Sequence, residues 1–479
     1  MRSEGVVASV IPVRGARGEN IRTSFCEVRM LSLRQNKDPS FPGHTPGKDT
    51  PRAANAATKE GSTGRKQNKR SEFCCLPVIP RKRRSTGEKT HERAFCEVRV
   101  LSSPSISTMK FTSDKFTLLN AVTPAMYASS TKTTLPILES LMFRLKDNEL
   151  LVYGYDLERG IRTSSTVYGM SDGVVMINAQ KICGIIKNFP DGEIQIESDE
   201  KNIVRIVGGM SDITVHGLSA DTYPSLPELH GENRFTISAH MFKDIIATTS
   251  YAISQTDAKP ILKGEFFKIE NKKVTAVATD TYCLSMRTEM AGVESDNLNF
   301  HFVVPGKTLS DLSRLLSDSD EIVTVEFTRK YVIFKYKDIV VFSRLLEGEY
   351  IDYERAIPSE EKTFVRINRM DLIESVERAS LIVDEKMKTP LICTFGGDIM
   401  NIKCSTQFGK VNDNIRAKIT GEEITIGFNN RFLLDTLRAC RDEEVTLGLT
   451  KPLMPMTVTS VKPSDASSYL YLVLPMRIK

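Results

Sequence analysis

The sequence predicts an α+β protein of three repeated domains, each placing two helices on antiparallel sheet. Three segments open with a short strand, continue through a polar residue able to cap a helix, and enter an apolar stripe. They are Lys110-Phe-Thr-Ser with Leu118, Leu119, Val122 and Met126; Arg234-Phe-Thr-Ile-Ser with Phe242, Ile245, Ile246 and Thr249; and Phe364-Val-Arg-Ile-Asn with Leu372, Ile373, Val376 and Ala379. Each stripe keeps the i, i+3, i+4, i+7 spacing of an amphipathic helix. The phrases Pro136-Ile-Leu, Pro260-Ile-Leu and Pro390-Leu-Ile recur 124 and 130 residues apart, and each reads as a strand whose first residue is proline, where no interior ladder bond is lost. A second helix is expected midway through each unit, over Asn178 to Phe189, Gly306 to Leu316 and Asn429 to Cys440, between alternating stretches such as Ile322-Val-Thr-Val-Glu-Phe and Val332-Ile-Phe-Lys-Tyr.

Finer matches follow the same period. Asp156 recurs as Asp280, 124 positions on, and Leu218 with Tyr223 recurs as Leu345 with Tyr350, 127 positions on. A period this long belongs to duplicated domains and not to a solenoid. It sets domains near 109–230, 231–360 and 361–479, preceded by a segment, 1–108, of different character.

Composition bounds the function. A chain of 479 residues, 40% hydrophobic and 26% charged, suffices for about three domains of ordinary size. It contains no run of eighteen apolar residues and no charged-then-apolar start, so neither a membrane span nor a secretory signal is indicated and a cytoplasmic protein is expected. Nine cysteines without a C-x-x-C pair read as reduced thiols, several filling the core. The charge is divided: residues 1–108 hold 21 Lys+Arg against 10 Asp+Glu, and residues 109–479 hold 44 against 50. An acidic body repels a polyanion at long range, so any nucleic acid it handles must meet locally concentrated cations.

The first 108 residues contain runs such as Arg65-Lys-Gln-Asn-Lys-Arg70 and Arg81-Lys-Arg-Arg84, with no sustained helix or strand period, and disorder is the expectation. The phrase Phe25-Cys-Glu-Val-Arg-Met-Leu-Ser returns as Phe95-Cys-Glu-Val-Arg-Val-Leu-Ser, a repeat without a physical account. The segment reads either as a nucleic-acid-binding arm or as a stretch upstream of a true start at Met109, the second reading being preferred.

A catalytic constellation cannot be assembled. Gly43-His-Thr-Pro-Gly-Lys-Asp is one residue short of a phosphate loop and ends in Asp where Ser or Thr would hold magnesium. The carboxylates of Asp318-Ser-Asp-Glu321 read as a solvated turn, and His216, His230, His240 and His301 lack metal-ligand spacing. No catalytic residue, metal or cofactor is therefore expected. The competing readings are a metal-dependent nuclease or polymerase-like enzyme using those carboxylates, and an RNA-binding protein acting through the basic segment.

Six phrases carry a resemblance: Met109-Lys-Phe-Thr, Thr134-Leu-Pro-Ile-Leu, Ala278-Thr-Asp, Leu346-Glu-Gly-Glu-Tyr-Ile-Asp-Tyr-Glu-Arg, Ile426-Gly-Phe-Asn and Leu474-Pro-Met-Arg-Ile-Lys. In order and spacing they resemble the bacterial sliding DNA clamp, the beta subunit of DNA polymerase III, over 109–479. The resemblance implies a non-catalytic processivity factor, a head-to-tail homodimeric ring around double-stranded DNA. Its implied partners are the polymerase III catalytic subunit, clamp-loader subunits, and other polymerases and repair proteins carrying a clamp-binding peptide.

The resemblance gives the basic residues a role. On the second helices Lys307 and Arg314 lie seven residues apart, as do Arg431 and Arg438, and Lys181 has Asn188 at that offset with Lys187 beside it. Seven residues are about two turns, so each pair shares a face. Together with Lys115, Lys243, Arg369 and Arg378 of the first helices, these would give an acidic ring a basic bore; without the resemblance they would read as solvated outer faces. Lys132 aligns with a family arginine that contacts DNA, and Gln255 to Ile261 with a DNA-contacting loop.

The family's peptide pocket would comprise Leu262, Thr279, Tyr282, Leu284, Ile351, Arg355, Ala356, Leu453, Pro455, Leu474, Pro475, Met476 and Arg477, an apolar lining suited to several partner peptides. Relatives commonly carry His-Arg where this chain has Tyr282-Cys283, which makes the rim less basic. Leu381 and Ile382 of the last domain would meet Ile213 of the first domain of the other subunit.

Overall fold

The computed structural model describes residues 108–479 except 131–134, 227–229, 232, 257, 294–298, 385–388, 463, 465 and 479. The readings placed on 1–107, and that on Lys132, lie outside the described residues. Met109 is buried and belongs to the first core, its backbone N donating to Ser198 Oγ at 3.1 Å.

Six helices appear among the described residues: α1 (Lys115–Tyr127), α2 (Ala179–Asn188), α3 (Ala239–Thr249), α4 (Gly306–Leu315), α5 (Arg369–Ser380) and α6 (Asn430–Ala439). Asp114 caps α1, its side chain accepting from Thr117 N, and Asn368 caps α5 by accepting from Met370 N and Asp371 N. The predicted stripes face inward. Leu118 and Val122 are buried, as are Phe242, Ile245, Ile246 and Thr249, and Leu372, Ile373, Val376 and Ala379, whereas Leu119 and Met126 are half-buried. In the first two repeats the proline starts a 3₁₀ turn, Pro136–Glu139 and Pro260–Lys263, and the strand begins afterwards. A fixed φ near −65° suits the first position of a helical turn as well as a strand end. Only in the third repeat does a strand, Leu391–Gly396, follow Pro390 directly.

Among the described residues the strands make four antiparallel sheets whose composition exposes the repeat. Each domain contributes one set of five strands and one of four. In two sheets a five-strand set and a four-strand set from neighbouring domains are fused into nine strands. Strand Ile339–Arg344 of the middle domain pairs with Arg159–Thr166 of the first, with Val341 opposite Ile161. Strand Ser467–Val473 of the last domain pairs with Cys283–Met290 of the middle one, with Tyr471 opposite Ser285. The remaining five-strand set, in the first domain, ends at Ser211–His216, and the remaining four-strand set, in the last domain, ends at Gly409–Arg416; both are edges.

Packing makes the joints continuous with the cores. Ile161 and Ala128 of the first domain join the cluster built on Phe242, Phe267, Phe327 and Phe334 of the second, with Tyr127 and Phe432 packed against it. Gly160 lies opposite Phe342 across the first joint, and a Cβ there would stand 2.1 Å from the ring, so the joint requires a glycine. Cys283, Cys393, Cys404 and Cys440 are buried and free, and Cys183 is half-buried. No helix among the described residues is long and apolar enough to cross a membrane.

One core position breaks the pattern. Strand registers align Glu265 with Leu141 and Leu391, all fully buried. Thr249 Oγ1 lies 2.7 Å from Ile245 O and 2.6 Å from Glu265 Oε1. The Thr249 hydroxyl has one hydrogen to share between the helix carbonyl and the carboxyl, so Glu265 is only partly satisfied by it. Burial raises the Glu265 pKa from 4.5 to about 8, opposed by the hydrogen bond that Thr249 donates. A raised carboxyl pKa contributes stability fully present below the unfolded value and lost as pH rises through the folded one, at up to about 1.4 kcal/mol per pH unit between them. Denaturant melts from pH 5 to 8.5 should therefore show the Glu265→Gln variant losing less stability than the parent; parallel curves would mean that Glu265 is already ionised at pH 5.

Candidate nucleic-acid interface and partner site

The second helices supply the cations, and their caps align them residue for residue. Each has ten residues, with N-caps Asn178, Pro305 and Asn429 and C-caps Phe189, Leu316 and Cys440. Asn178 Oδ1 accepts from Lys181 N at 3.1 Å, and Asn429 Oδ1 accepts from Arg431 N and Phe432 N. Counting from the caps, Lys187, Arg314 and Arg438 coincide, as do Gln180, Lys307 and Arg431; Lys181 coincides with Thr308 and Phe432. The predicted offset of seven is present on α4 and α6, but on α2 the cation at the shared position is Lys187.

Lys181, Lys187, Lys307, Arg314, Arg431 and Arg438 are all exposed, and several have local anionic neighbours. Lys307 Nζ is 3.4 Å from Asp156, Arg438 is 2.8 Å from Glu377, Arg431 is 3.7 Å from Asp435, and Arg314 lies over the Tyr127 ring at 5.7 Å. The first-helix cations are engaged within their own domains. Lys115 meets Asp191 at 2.9 Å, Lys243 meets Asp318 at 3.1 Å, Arg378 meets Asp413 at 2.8 Å, and Arg369 Nε donates to Asp442 O at 2.8 Å. Lys263, Lys307 and Arg314 share a cavity of about 950 Å³ with Ser250, Ser254, Ser310, Ser313, Gln255 and Pro260. Ammonium, guanidinium and hydroxyl groups together suit phosphate oxygens, which carry no sequence information. The Asp318–Glu321 carboxylates form a turn contacted by Lys243, His240 and Lys337.

Most of the contacts that hold the joints escaped the sequence reading. At the first joint Arg159 is almost fully buried between Asp156, 3.1 Å away, and Asp311 of α4, with which it pairs directly. Burial pulls the Arg159 guanidinium below its ordinary pKa, opposed by Asp156. At the second joint Tyr282 stacks on Phe432 with ring centroids 5.6 Å apart, Tyr251 OH donates to Thr436 Oγ1 at 3.3 Å, and Arg441 donates to Asp244 at 3.0 Å. The two joints share a backbone contact: Arg344 N donates to Glu158 O at 2.7 Å, and Leu474 N to Tyr282 O at 3.0 Å. Asp156 and Asp280 explain their recurrence. Each caps the hairpin turn beside its joint, accepting from Glu158 N and Arg159 N, or from Tyr282 N and Cys283 N.

The expected peptide-pocket residues gather at the second joint to different depths. Leu262, Thr279 and Leu284 are at most 3% exposed. Leu284 packs with Phe266, Tyr353 and Leu472, and Thr279 Oγ1 donates to Cys283 O at 2.6 Å. Tyr282 and Leu453 are exposed, as are Ala356, Arg477 and Arg355, the last 2.6 Å from Asp352. Ile351, Pro455, Leu474, Pro475 and Met476 are half-buried, and Met476 N donates to Gly427 O at 2.7 Å. Cys283 is buried, and that burial pushes its thiol pKa up. Ile213 lies half-buried on one open edge strand; exposed Leu381 and half-buried Ile382 lie at the other end, where Thr406 Oγ1 donates to Ile382 O at 2.9 Å.

Three copies of one α+β domain joined edge to edge, with exposed cations on matched helices, define a repeat-built clamp. Family models for the DNA polymerase III beta subunit match in order: the N-terminal domain over 109–227, the central domain over 236–352 and the C-terminal domain over 354–477. The beta sliding clamps of Staphylococcus epidermidis and Bacillus subtilis are 31% and 30% identical to this chain, each over 77% of it and over 99% and 100% of their own lengths. The solved Bacillus subtilis clamp has a TM-score of 0.75 at 29% identity, covering 78% of this chain and all of that one. A putative beta subunit from Eubacterium rectale scores 0.73 at 30% identity over 77% of this chain and 99% of its own. The chain belongs to the bacterial DNA polymerase III beta subunit family, the sliding clamps. It is a processivity factor of DNA replication and a non-catalytic subunit.

The buried pair at the first joint makes a prediction. Arg159→Met leaves buried Asp311 with only the exposed Arg314, 3.9 Å away, and should cost up to about 3–5 kcal/mol in denaturant unfolding, while adding Asp311→Leu should recover most of it. Equal stability of Arg159→Met and the parent would mean that the pair does not hold the joint.

Proposed function

We propose that two copies of this chain close head to tail into a ring that encircles duplex DNA. One observation carries the proposal: each internal joint fuses a five-strand set to a four-strand set, and among the described residues one set of each kind is left with an open edge. Unpaired edges of this kind recruit another strand. A heterologous contact between the two different edges can close into a ring, and two copies is the number the clamp resemblance implies.

The internal joints supply a template for the third. A third joint of the same register would set Ile213 opposite Val411, as Val341 is opposite Ile161 and Tyr471 opposite Ser285. Leu381 and Ile382 then cover that apolar pair. Lys187, Lys307, Arg314, Arg431 and Arg438 contact passing phosphates on cytoplasmic DNA, with Gln255 in the cavity that holds Lys307 and Arg314. The covered floor of Leu262, Thr279 and Leu284, with Tyr282, Leu453 and the Leu474–Arg477 segment as walls, takes an apolar peptide from the polymerase III catalytic subunit, the clamp loader, and other polymerases or repair proteins. Support comes from the joint location of those residues and the apolar cluster beneath them.

Retention on DNA tests the ring. Loaded onto nicked circles by a clamp loader and ATP, the protein should survive a high-salt wash and run off when the circle is cut. Changing the five cations to Ala should reduce the salt dependence of direct binding yet leave retention on circles largely intact. Equal retention on linear and circular DNA, with salt removing both, would overturn encirclement.

A further inference from the structure

We propose that Phe408 of one copy lies on Lys181 of the next, so that Lys181 serves the joint between copies and not the DNA. This rests on the ring reading and adds a contact to it. The internal joints are the template. At the second joint two aromatic side chains of the middle domain hold α6: Tyr251, from the turn after α3, touches Thr436 and meets Tyr471 edge-on at 6.1 Å, while Tyr282, from a hairpin turn, stacks on Phe432. Strand registers and helix caps carry each position to the open ends. In the last domain Tyr251 becomes Leu381 and Tyr282 becomes Phe408; in the first domain Thr436 becomes Ile185, Tyr471 becomes Ile213 and Phe432 becomes Lys181.

Both ends have the surfaces this mapping requires. Leu381 is 85% exposed and Phe408 71%, large apolar groups presented on turns. Beside the opposite edge strand is a groove of about 440 Å³ whose lining includes Lys181, Gly184, Ile185, Asn188 and Ile213. Its counterpart at the second joint is occupied by Tyr251 and Tyr282. Gly184 takes the place of Asp311 and Asp435, and a Cβ there meets nothing within 4 Å. With Leu381 over Ile185 and Ile213, Phe408 falls where Tyr282 falls, over residue 181. An aromatic face against a lysine stem and ammonium is an attractive pairing, and it leaves Lys187, aligned with Arg314 and Arg438, as the α2 cation for phosphate.

Sedimentation across a dilution series tests the contact. Phe408→Ala and Lys181→Ala should each raise the dimer Kd, and since the ring has two identical joints, a roughly tenfold loss at each multiplies to about a hundredfold. Their combination should be less than additive, because both remove one contact. Gly184→Leu, on an open helical face, should fold normally and dimerise less. Lys187→Ala should lower the salt slope of duplex binding, and Lys181→Ala should not. If Leu381→Asp with Ile382→Asp is monomeric while Phe408→Ala dimerises like the parent, the ring stands and the Phe408 contact falls; if the charged double variant also remains dimeric, the ring interface itself is wrong. Strict additivity of the two alanine changes would likewise remove the Phe408–Lys181 pairing.

Discussion

Backbone hydrogen bonding at strand edges is the constraint on which the rest of this structure depends. A sheet edge presents donors and acceptors that water satisfies and a matching edge satisfies better when apolar side chains cover it. Here four-strand and five-strand sets from different domains pair in antiparallel register twice within the chain. The duplicated domain is thus a unit with two complementary edges. The second helices then stand beside the joints they brace, and their exposed faces carry the cations.

Chemistry at the joints varies while geometry is retained. The first joint is ionic, with Arg159 held by Asp156 and Asp311 and Lys307 at their margin. The second is aromatic, with Tyr282, Phe432, Tyr251 and Tyr471 in contact, and is pinned at its rim by Arg441 and Asp244. A buried ion pair must recover the desolvation of both partners and tolerates little displacement, whereas stacked rings gain from area and polarisability. Conserved backbone contacts, Arg344 N to Glu158 O and Leu474 N to Tyr282 O, show that strand register is common to both.

Much of this was legible in the sequence because periodicity reports burial. The apolar stripes and the caps at Asp114, Asn178, Asn368 and Asn429 mark helices through local rules that tertiary contacts did not override. Aspartates 124 apart marked a hairpin turn whose backbone they cap. Less legible were features that depend on registration between distant strands. The joint role of Arg159 requires knowing that residue 311 lies beside it, and nothing local distinguishes Arg159 from a surface arginine. Lys181 and Asn188 looked like the counterpart of Lys307 and Arg314 because an offset of seven has no origin; the caps supply the origin and move the match to Lys187. Phe408 could have been found by extending the 124-residue comparison from Tyr282, but the third repeat has Thr406 where the others have aspartate, and so lacks the marker.

The charge distribution explains why attraction and retention can be separate properties. The body carries more carboxylates than cations, and Lys307, Arg431 and Arg438 each have a carboxylate within 4 Å. Such exposed pairs are individually weak. On the proposed DNA contact, a passing phosphate would replace the carboxylate at small cost and be replaced in turn, so contact with any one phosphate would be brief. Cations without such partners would bind a polyanion tightly in one place, and loss of those counterions on binding would make the attachment strongly salt-dependent. A protein that must move along DNA is better served by shallow, exchangeable contacts, provided something other than attraction prevents escape. Sheet closure can supply that restraint because its hydrogen bonds and apolar cover are far less sensitive to salt than exposed ion pairs.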